Sequence, residues 1–349
     1  MQNNTFKIAP FISLYAFVHL VVDAACAYLL LGVLEIKSNA ILAMLIYNAT
    51  AFVLQAPFGL LIDKILNPKY AAMLGLIFVA LSFLFWNNVY SALIIVSIGN
   101  ALFHVGGGSL VLSLKDKRAT FSGIFIAPGA IGLTIGTFLS ISRFNINPLT
   151  FTILLLFLCG LIYFVNTPDF NRPQKSSATV NSSYVILFIL LIMIPIAVRS
   201  SIGLSLDFPW KQNQHLLIIL LAALAFGKVF GGILADKYGL IKVGVGGLLV
   251  STPLLAFYST IPLLGILGAF VFNFTMPVTL IAVLNVMPQN RGFSFGLTTV
   301  AIFIGSLPTI LGENSCLKND YMVFSLILFS SLVLFIALHY MSKLKLIKA

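Results

Sequence analysis

The sequence predicts an all-α integral membrane protein of twelve transmembrane helices in two six-helix halves. Three observations predict it. The chain is 60% hydrophobic and 8% charged over 349 residues, where soluble domains average roughly 25% charged, so lipid must be its solvent. Its apolar residues gather into twelve runs, each near the ~20 residues that cross a hydrocarbon core. One short motif occurs twice, as Gly59-Leu60-Leu61-Ile62-Asp63-Lys64 and Gly232-Ile233-Leu234-Ala235-Asp236-Lys237. The two copies lie 173 positions apart, half the chain.

The runs are 9–33, 39–62, 70–88, 90–113, 119–143 and 149–166 in the first half. The second half holds 183–207, 215–235, 240–259, 261–286, 293–312 and 321–341. Each is read as a helix because lipid offers the backbone no hydrogen-bond partners. The roughly 10-residue alternating segments of a β-barrel are absent from the sequence. The run 9–33 is too long for a cleaved signal peptide, contains His19 and Asp23, and precedes no small-residue cleavage site. Loops are a few residues long except 167–182, TPDFNRPQKSSATVNS, whose prolines, charges and small polar residues mark a linker. The expected domains are therefore 1–166 and 183–349, joined by 167–182.

Lys and Arg set the orientation. With the N-terminus cytoplasmic, 14 lie inside: Lys7, Lys64, Lys69, Lys115, Lys117, Arg118, Arg172, Lys175, Lys237, Lys242, Arg291, Lys343, Lys345 and Lys348. Four lie outside: Lys37, Arg143, Lys211 and Lys318. Both termini and the linker are thus expected on the cytoplasmic side. The net charge of +11 is a topology signal; scattered over short loops, it does not suggest a nucleic-acid partner. Cys26, Cys159 and Cys316 are odd in number and show no metal or disulfide spacing. No ATP-binding P-loop occurs.

The offset of 173 recurs: Gln55 maps to Lys228, Asn100 to Asn273, Gly123 to Gly296 and Gly132 to Gly305. Duplication of a six-helix unit explains this economically. Six is even, so the repeats are parallel, related by an axis along the membrane normal.

The motif pair, twelve spans, central linker and length resemble the major facilitator superfamily. Its signature between the second and third spans, Gly-x-Leu-Ala-Asp-Arg/Lys, is matched by Gly232, Asp236 and Lys237, with Gly239 and Lys242 following. Gly59, Asp63 and Lys64 match with Ile62 in place of Ala and Leu66 in place of Gly. The resemblance implies that Asp63 and Asp236 each pair with a helix end and hold one gated conformation. The fifth span resembles the family's antiporter motif, with Pro128, Gly129 and Gly132 among spaced glycines and Ala127 in place of Gly. Ala101-Leu102-Phe103-His104 and Val198-Arg199-Ser200-Ser201 are similar to stretches of the fosmidomycin-resistance-type exporters, although Val105 stands where Pro usually follows.

Ionisable groups inside a bilayer are expensive and usually mark a solute or ion route. His19 and Asp23 lie at i and i+4 in the first span and share a helix face. Asn100 and His104 do the same in the fourth. Arg199 lies in the seventh span and Asn273 in the tenth. Lys228 lies in the eighth, roughly 12 Å deeper than Asp236 at about 1.5 Å per residue. In the resembled family, spans one, four, seven and ten line the central cavity. Asp23, His19 and His104 are the candidates for proton coupling. Arg199, Lys228, Asn100, Asn273, Asn48 and Gln55 are the candidates for solute contact. Each has a plainer reading. Asp23 can neutralise a buried cation, Arg199 can pair with Asp23 or Asp207, Lys228 can snorkel, and the amides can bond between helices. Gly106, Gly107 and Gly108 permit either close packing or a bend.

These features imply a secondary active transporter of a small organic anion or amphiphile, proton-coupled and exporting, in a bacterial inner membrane. Arg199 and Lys228 offer positive charge to a carboxylate, phosphate or phosphonate; protonation of Asp23 frees Arg199 for solute. A sodium- or proton-coupled importer is the alternative. A nontransporting sensor or an intramembrane enzyme lacks the expected long cytoplasmic segment or nucleophile–base motif. No cofactor or metal is expected, and nothing demands more than a monomer.

Overall fold

The computed structural model describes residues 7–34, 40–114, 118–142, 146–168 and 182–347, apart from the side chains of Ser182 and Cys316. Most of the expected linker, 169–181, lies outside the described residues. So do Lys37, Lys115, Lys117, Arg143, Arg172, Lys175 and Lys348 of the orientation argument.

The described residues form twelve helical spans and no strand. They are α1 (Ile8–Val33), α2 (Ala40–Lys64), α3 (Pro68–Phe85), α4 (Val89–Val111), α5 (Arg118–Ile141), α6 (Pro148–Phe164), α7 (Ser183–Ser205), α8 (Gln214–Tyr238), α9 (Leu240–Ala256), α10 (Pro262–Val286), α11 (Arg291–Ile310) and α12 (Asp320–Lys343). Ten are long and apolar enough to cross a membrane; α6 and α9 are shorter apolar helices. Helix starts follow a repeated chemistry. Asn67, Asn88, Asn147, Asn213 and Asn319 each accept a hydrogen bond from a first-turn N–H of α3, α4, α6, α8 and α12, satisfying donors that no intrahelical carbonyl reaches. Gly239, at φ 93°, ends α8 in a region costly for other residues.

Four spans depart from straight α-helix, α3 by a closing 3₁₀ turn at Phe83–Phe85. Leu29–Val33 closes α1 and Ala49–Val53 interrupts α2 as π-helical turns. In α10 the regular helix stops at Phe272 and restarts at Thr275. By contrast α4 runs unbroken through Gly106, Gly107 and Gly108, so the glycine triplet serves packing. A Cβ on Gly106 would meet the backbone of Ala72 and Pro68, and one on Gly107 would meet Phe125 and Tyr15.

The chain forms two compact units. Unit 1 comprises Met1–Lys115, Ile124–Arg172 and Arg291–Gly296. Here α3 and α4 pack extensively. Gly75 and Gly99 bring their backbones so close that an added Cβ would collide with main-chain atoms; dispersion contacts accumulate at such approaches, where no side chain intervenes. On α5, Gly132 and Gly136 lie in the same way against the carbonyls of Leu20 and Ala24 of α1. Unit 2 comprises Asp116–Gly123, Pro173–Asn290 and Leu297–Ala349. In it α9 packs on α10 and α12, and α7 packs on α12 and α10. Gly305 of α11 meets the Ala197 carbonyl of α7.

Candidate functional site

Unit 1 gathers three of the expected ionisable groups into one cluster. The i, i+4 spacing on α1 aims His19 and Asp23 the same way, with His19 Nε2 3.3 Å from Asp23 Oδ2. From α4, His104 Nε2 comes within 2.8 Å of His19 Nε2 and 3.4 Å of Asp23 Oδ1. Both rings are held from behind. His19 Nδ1 donates to the Phe125 carbonyl of α5 at 2.7 Å, and His104 Nδ1 to the Asn100 carbonyl at 2.9 Å; a carbonyl can only accept. His19 is 5% exposed. Gly129 on α5 leaves the room that the cluster fills: its Cβ would stand 2.5 Å from His19 Nε2 and 2.6 Å from Asp23 Oδ2. The neighbouring Pro128 sits inside an unbroken helix. By position alone, donor atoms of His19, Asp23 and His104 lie within 4.8 Å of one another and could hold a metal ion.

The amides separate into two groups. Asn100 reaches across helices, donating to Cys26 Sγ at 3.4 Å and Tyr47 Oη at 3.2 Å. Its side chain is not the partner of His104; its main-chain carbonyl is. Asn48, Gln55 and Asn273 instead donate to carbonyls four residues back, Met44, Ala51 and Ala269. The bond at Asn273 belongs to the turn where α10 breaks. Gln55 Oε1 is buried with no hydrogen-bond partner among the described residues.

The cations belong to unit 2. Arg199 lies on α7, and its Nε is buried with no hydrogen-bond partner among the described residues. Lys228 on α8 is 7% exposed, so its stem does not snorkel freely into lipid. The main chain of α8 at Lys228 touches Gly123, the last residue of the α5 segment in unit 2.

Asp63 and Asp236 both cap helices. Asn290 gives α11 no side-chain cap. Asp63 supplies one, accepting from Gly292 N and Phe293 N at 2.9 Å each. Asp236 does the same for α5, accepting from Ala119 N at 3.2 Å and from Thr120 N and Oγ1 at 2.8 and 2.7 Å. Negative charge at a helix N-terminus meets unpaired donors and the positive end of the dipole. The two caps match under the 173-residue shift, residue for residue. So do the glycine approaches, Gly59 on Gly292 and Gly232 on Ala119, and those of Gln55 on Gly296 and Lys228 on Gly123. Lys64 and Lys237 are exposed in the last turns of α2 and α8, with Lys237 Nζ 5.0 Å from the Tyr238 ring centroid.

Sequence reading missed several participants. Arg118 and Arg291 open α5 and α11, and each stands five positions before a paired glycine. They share the 173 offset, which was the signal available for them. Arg291 Nη1 donates to Ser113 Oγ at 3.1 Å. Tyr47 and Cys26 carried no motif; only the packing of α1, α2 and α4 reveals them.

A family model described as Major Facilitator Superfamily matches residues 12–310. No curated protein matches. Among solved structures, a variant of the E. coli fucose:proton symporter FucP is 15% identical at TM-score 0.74, covering 95% of this chain and 98% of that one. FucP in the outward conformation is 14% identical at TM-score 0.68, with 95% and 98% covered. The human organic anion transporter MFSD10 (TETRAN) is 15% identical at TM-score 0.67, with 95% and 99% covered. At these identities the likeness is one of fold.

Proposed function

The chain belongs to the Major Facilitator Superfamily, and from that premise we propose that it is a proton-coupled secondary active exporter of a small organic anion or amphiphile, working by alternating access. The family and the neighbours' fold point to a multi-pass membrane transporter of a small molecule rather than an enzyme. The observation that carries the reading is the repeated aspartate cap. Asp63 and Asp236 bind helix starts through charge–dipole bonds at matched positions. Bonds of that kind, partly open to solvent, can break and re-form, which an alternating carrier requires.

Three further features support the finer parts. The cluster of His19, Asp23 and His104 supplies exchangeable protons, and a fold neighbour is a fucose:proton symporter. Arg199, whose buried Nε has no hydrogen-bond partner among the described residues, supplies charge for an anion, and a second neighbour is an organic anion transporter. Pro128, Gly129 and Gly132, with the stretches similar to fosmidomycin-resistance-type exporters, favour export. In this proposal 1–166 and 183–349 are the two repeats, joined by 167–182, and the termini are cytoplasmic in a bacterial inner membrane. Coupled import is the second reading, favoured by the symporter neighbour.

Everted vesicles carrying the protein, given an imposed pH gradient and a panel of organic anions, test this. Gradient-driven uptake of one class is expected, with coupling lost in Asp23→Asn. Uptake indifferent to the gradient removes proton coupling; uptake only in right-side-out vesicles favours import.

A further inference from the structure

We infer that unit 1 binds its proton between two imidazoles, as an N–H–N bridge from His19 Nε2 to His104 Nε2, with Asp23 as the balancing charge. The bridge itself is independent of transport; only its transport readout rests on the proton-coupled reading above.

His19 Nδ1 faces the Phe125 carbonyl at 2.7 Å and His104 Nδ1 faces the Asn100 carbonyl at 2.9 Å. Neither oxygen can donate, so both Nδ1 atoms carry hydrogen. A neutral imidazole has one N–H, and its other nitrogen is a bare lone pair. Two neutral rings would therefore point bare Nε2 lone pairs at each other across 2.8 Å. That separation is sustained only with a cation between them. One additional proton gives the pair three ring hydrogens and a single positive charge. Asp23 lies 3.3 and 3.4 Å from the two Nε2 atoms and neutralises it.

The spacing of the two nitrogens suits a shared proton better than a tetrahedral metal ion. Two nitrogens bound tetrahedrally to an ion at about 2.0–2.1 Å stand roughly 3.3 Å apart. The observed 2.8 Å is instead a nitrogen-donated hydrogen bond, which spans about 2.7–3.2 Å. The surroundings agree. On α1 the facing group is Asp23; Cys26 of α1 and Tyr47 of α2 are engaged by the Asn100 amide. On α5 the facing groups are the Phe125 carbonyl and Gly129, which has no side chain.

A mechanical result follows. When the bridging proton leaves, each Nε2 keeps its own electron pair, the rings become neutral, and Asp23 remains a carboxylate. The two lone pairs then repel, so His19 and His104 must part. Proton release is thereby converted into a separation of α1 from α4 side chains. Asp23 is the counter-ion in this scheme, and the rings carry the proton.

The chain has only four histidines, so selective ¹⁵N-histidine labelling resolves the question in the full-length protein in detergent. Wild type is expected to show two protonated Nδ1 atoms and one proton shared by both Nε2 atoms, with His19→Gln and His104→Gln assigning the signals. In either variant the surviving ring should hold its second proton roughly tenfold to a hundredfold more weakly, the scale of one charge-assisted hydrogen bond. Two bare Nε2 signals in the folded wild type overturn the bridge. So does a protonated Asp23 carboxyl in infrared difference spectra, or stoichiometric Zn²⁺ retained by wild type and lost in both variants. A bridge present in a protein whose uptake ignores the pH gradient leaves this inference standing and removes proton-coupled transport. Coupled uptake with bare Nε2 atoms does the reverse.

Discussion

Asp236 accepts both the backbone N–H and the hydroxyl of Thr120, at 2.8 and 2.7 Å. Its repeat partner Asp63 accepts from the backbone N–H groups of Gly292 and Phe293, with no hydroxyl bond among the described residues. Thus the two caps are alike in the main chain and differ in their surroundings, since Asp236 is exposed and Asp63 half-buried.

That difference orders two substitutions. Asp63→Asn is expected to cost about 1.5–3 kcal/mol, the range for hydrogen bonds to a charged group. Asp236→Asn should cost under about 1 kcal/mol because exposed charges are screened. Thermal unfolding in detergent measures both, and a larger loss at Asp236 would falsify the ordering.

Glycine contacts give a sharper contrast. Gly132→Ala would drive a methyl into the Leu20 carbonyl, whereas a Cβ at Gly160 meets nothing within 4 Å. Gly132→Ala should lower the unfolding temperature. Gly160→Ala should leave it unchanged or raise stability by up to about 1 kcal/mol, the helix preference of Ala over Gly. Equal effects at both sites would show that the α1–α5 approach is not tight.

Gly129→Ala is a different kind of change. Its methyl would meet the tips of His19 and Asp23 rather than main chain, and tips can move. Folding should survive with a small shift in unfolding temperature, while pH-gradient-driven uptake falls. Unaltered uptake would mean that the cluster tolerates displacement.

Arg199 should show opposed effects. Its Nε is a buried donor without a partner among the described residues, a situation costing about 1–3 kcal/mol. Arg199→Met is expected to raise stability while abolishing anion uptake, as residues kept for function often do. Lower stability in Arg199→Met, measured by thermal unfolding, contradicts this account.

The fold was legible because lipid forces helices, and a run of apolar residues declares each one. What sequence periodicity missed were local departures from it. The π-turns at Leu29–Val33 and Ala49–Val53 and the break at Asn273 alter hydrogen bonding without altering composition. The cluster was half legible. Spacing of four put His19 with Asp23 and Asn100 with His104, but nothing local says that α1 meets α4 at those turns. The reading of the amides as interhelical ties holds for Asn100 and fails for Asn48, Gln55 and Asn273. A carbonyl four residues back on the same helix takes an N–H of each of those three amides. Arg118 and Arg291 are related by the same offset of 173 that relates Gly123 to Gly296.

Neither compact unit is continuous along the chain. Unit 1 takes in Arg291–Gly296, and unit 2 takes in Asp116–Gly123. A gene cut at the midpoint therefore encodes two incomplete objects, each missing a helix start that the other supplies. Chimeras that join the front of one homologue to the back of another would inherit mismatched caps.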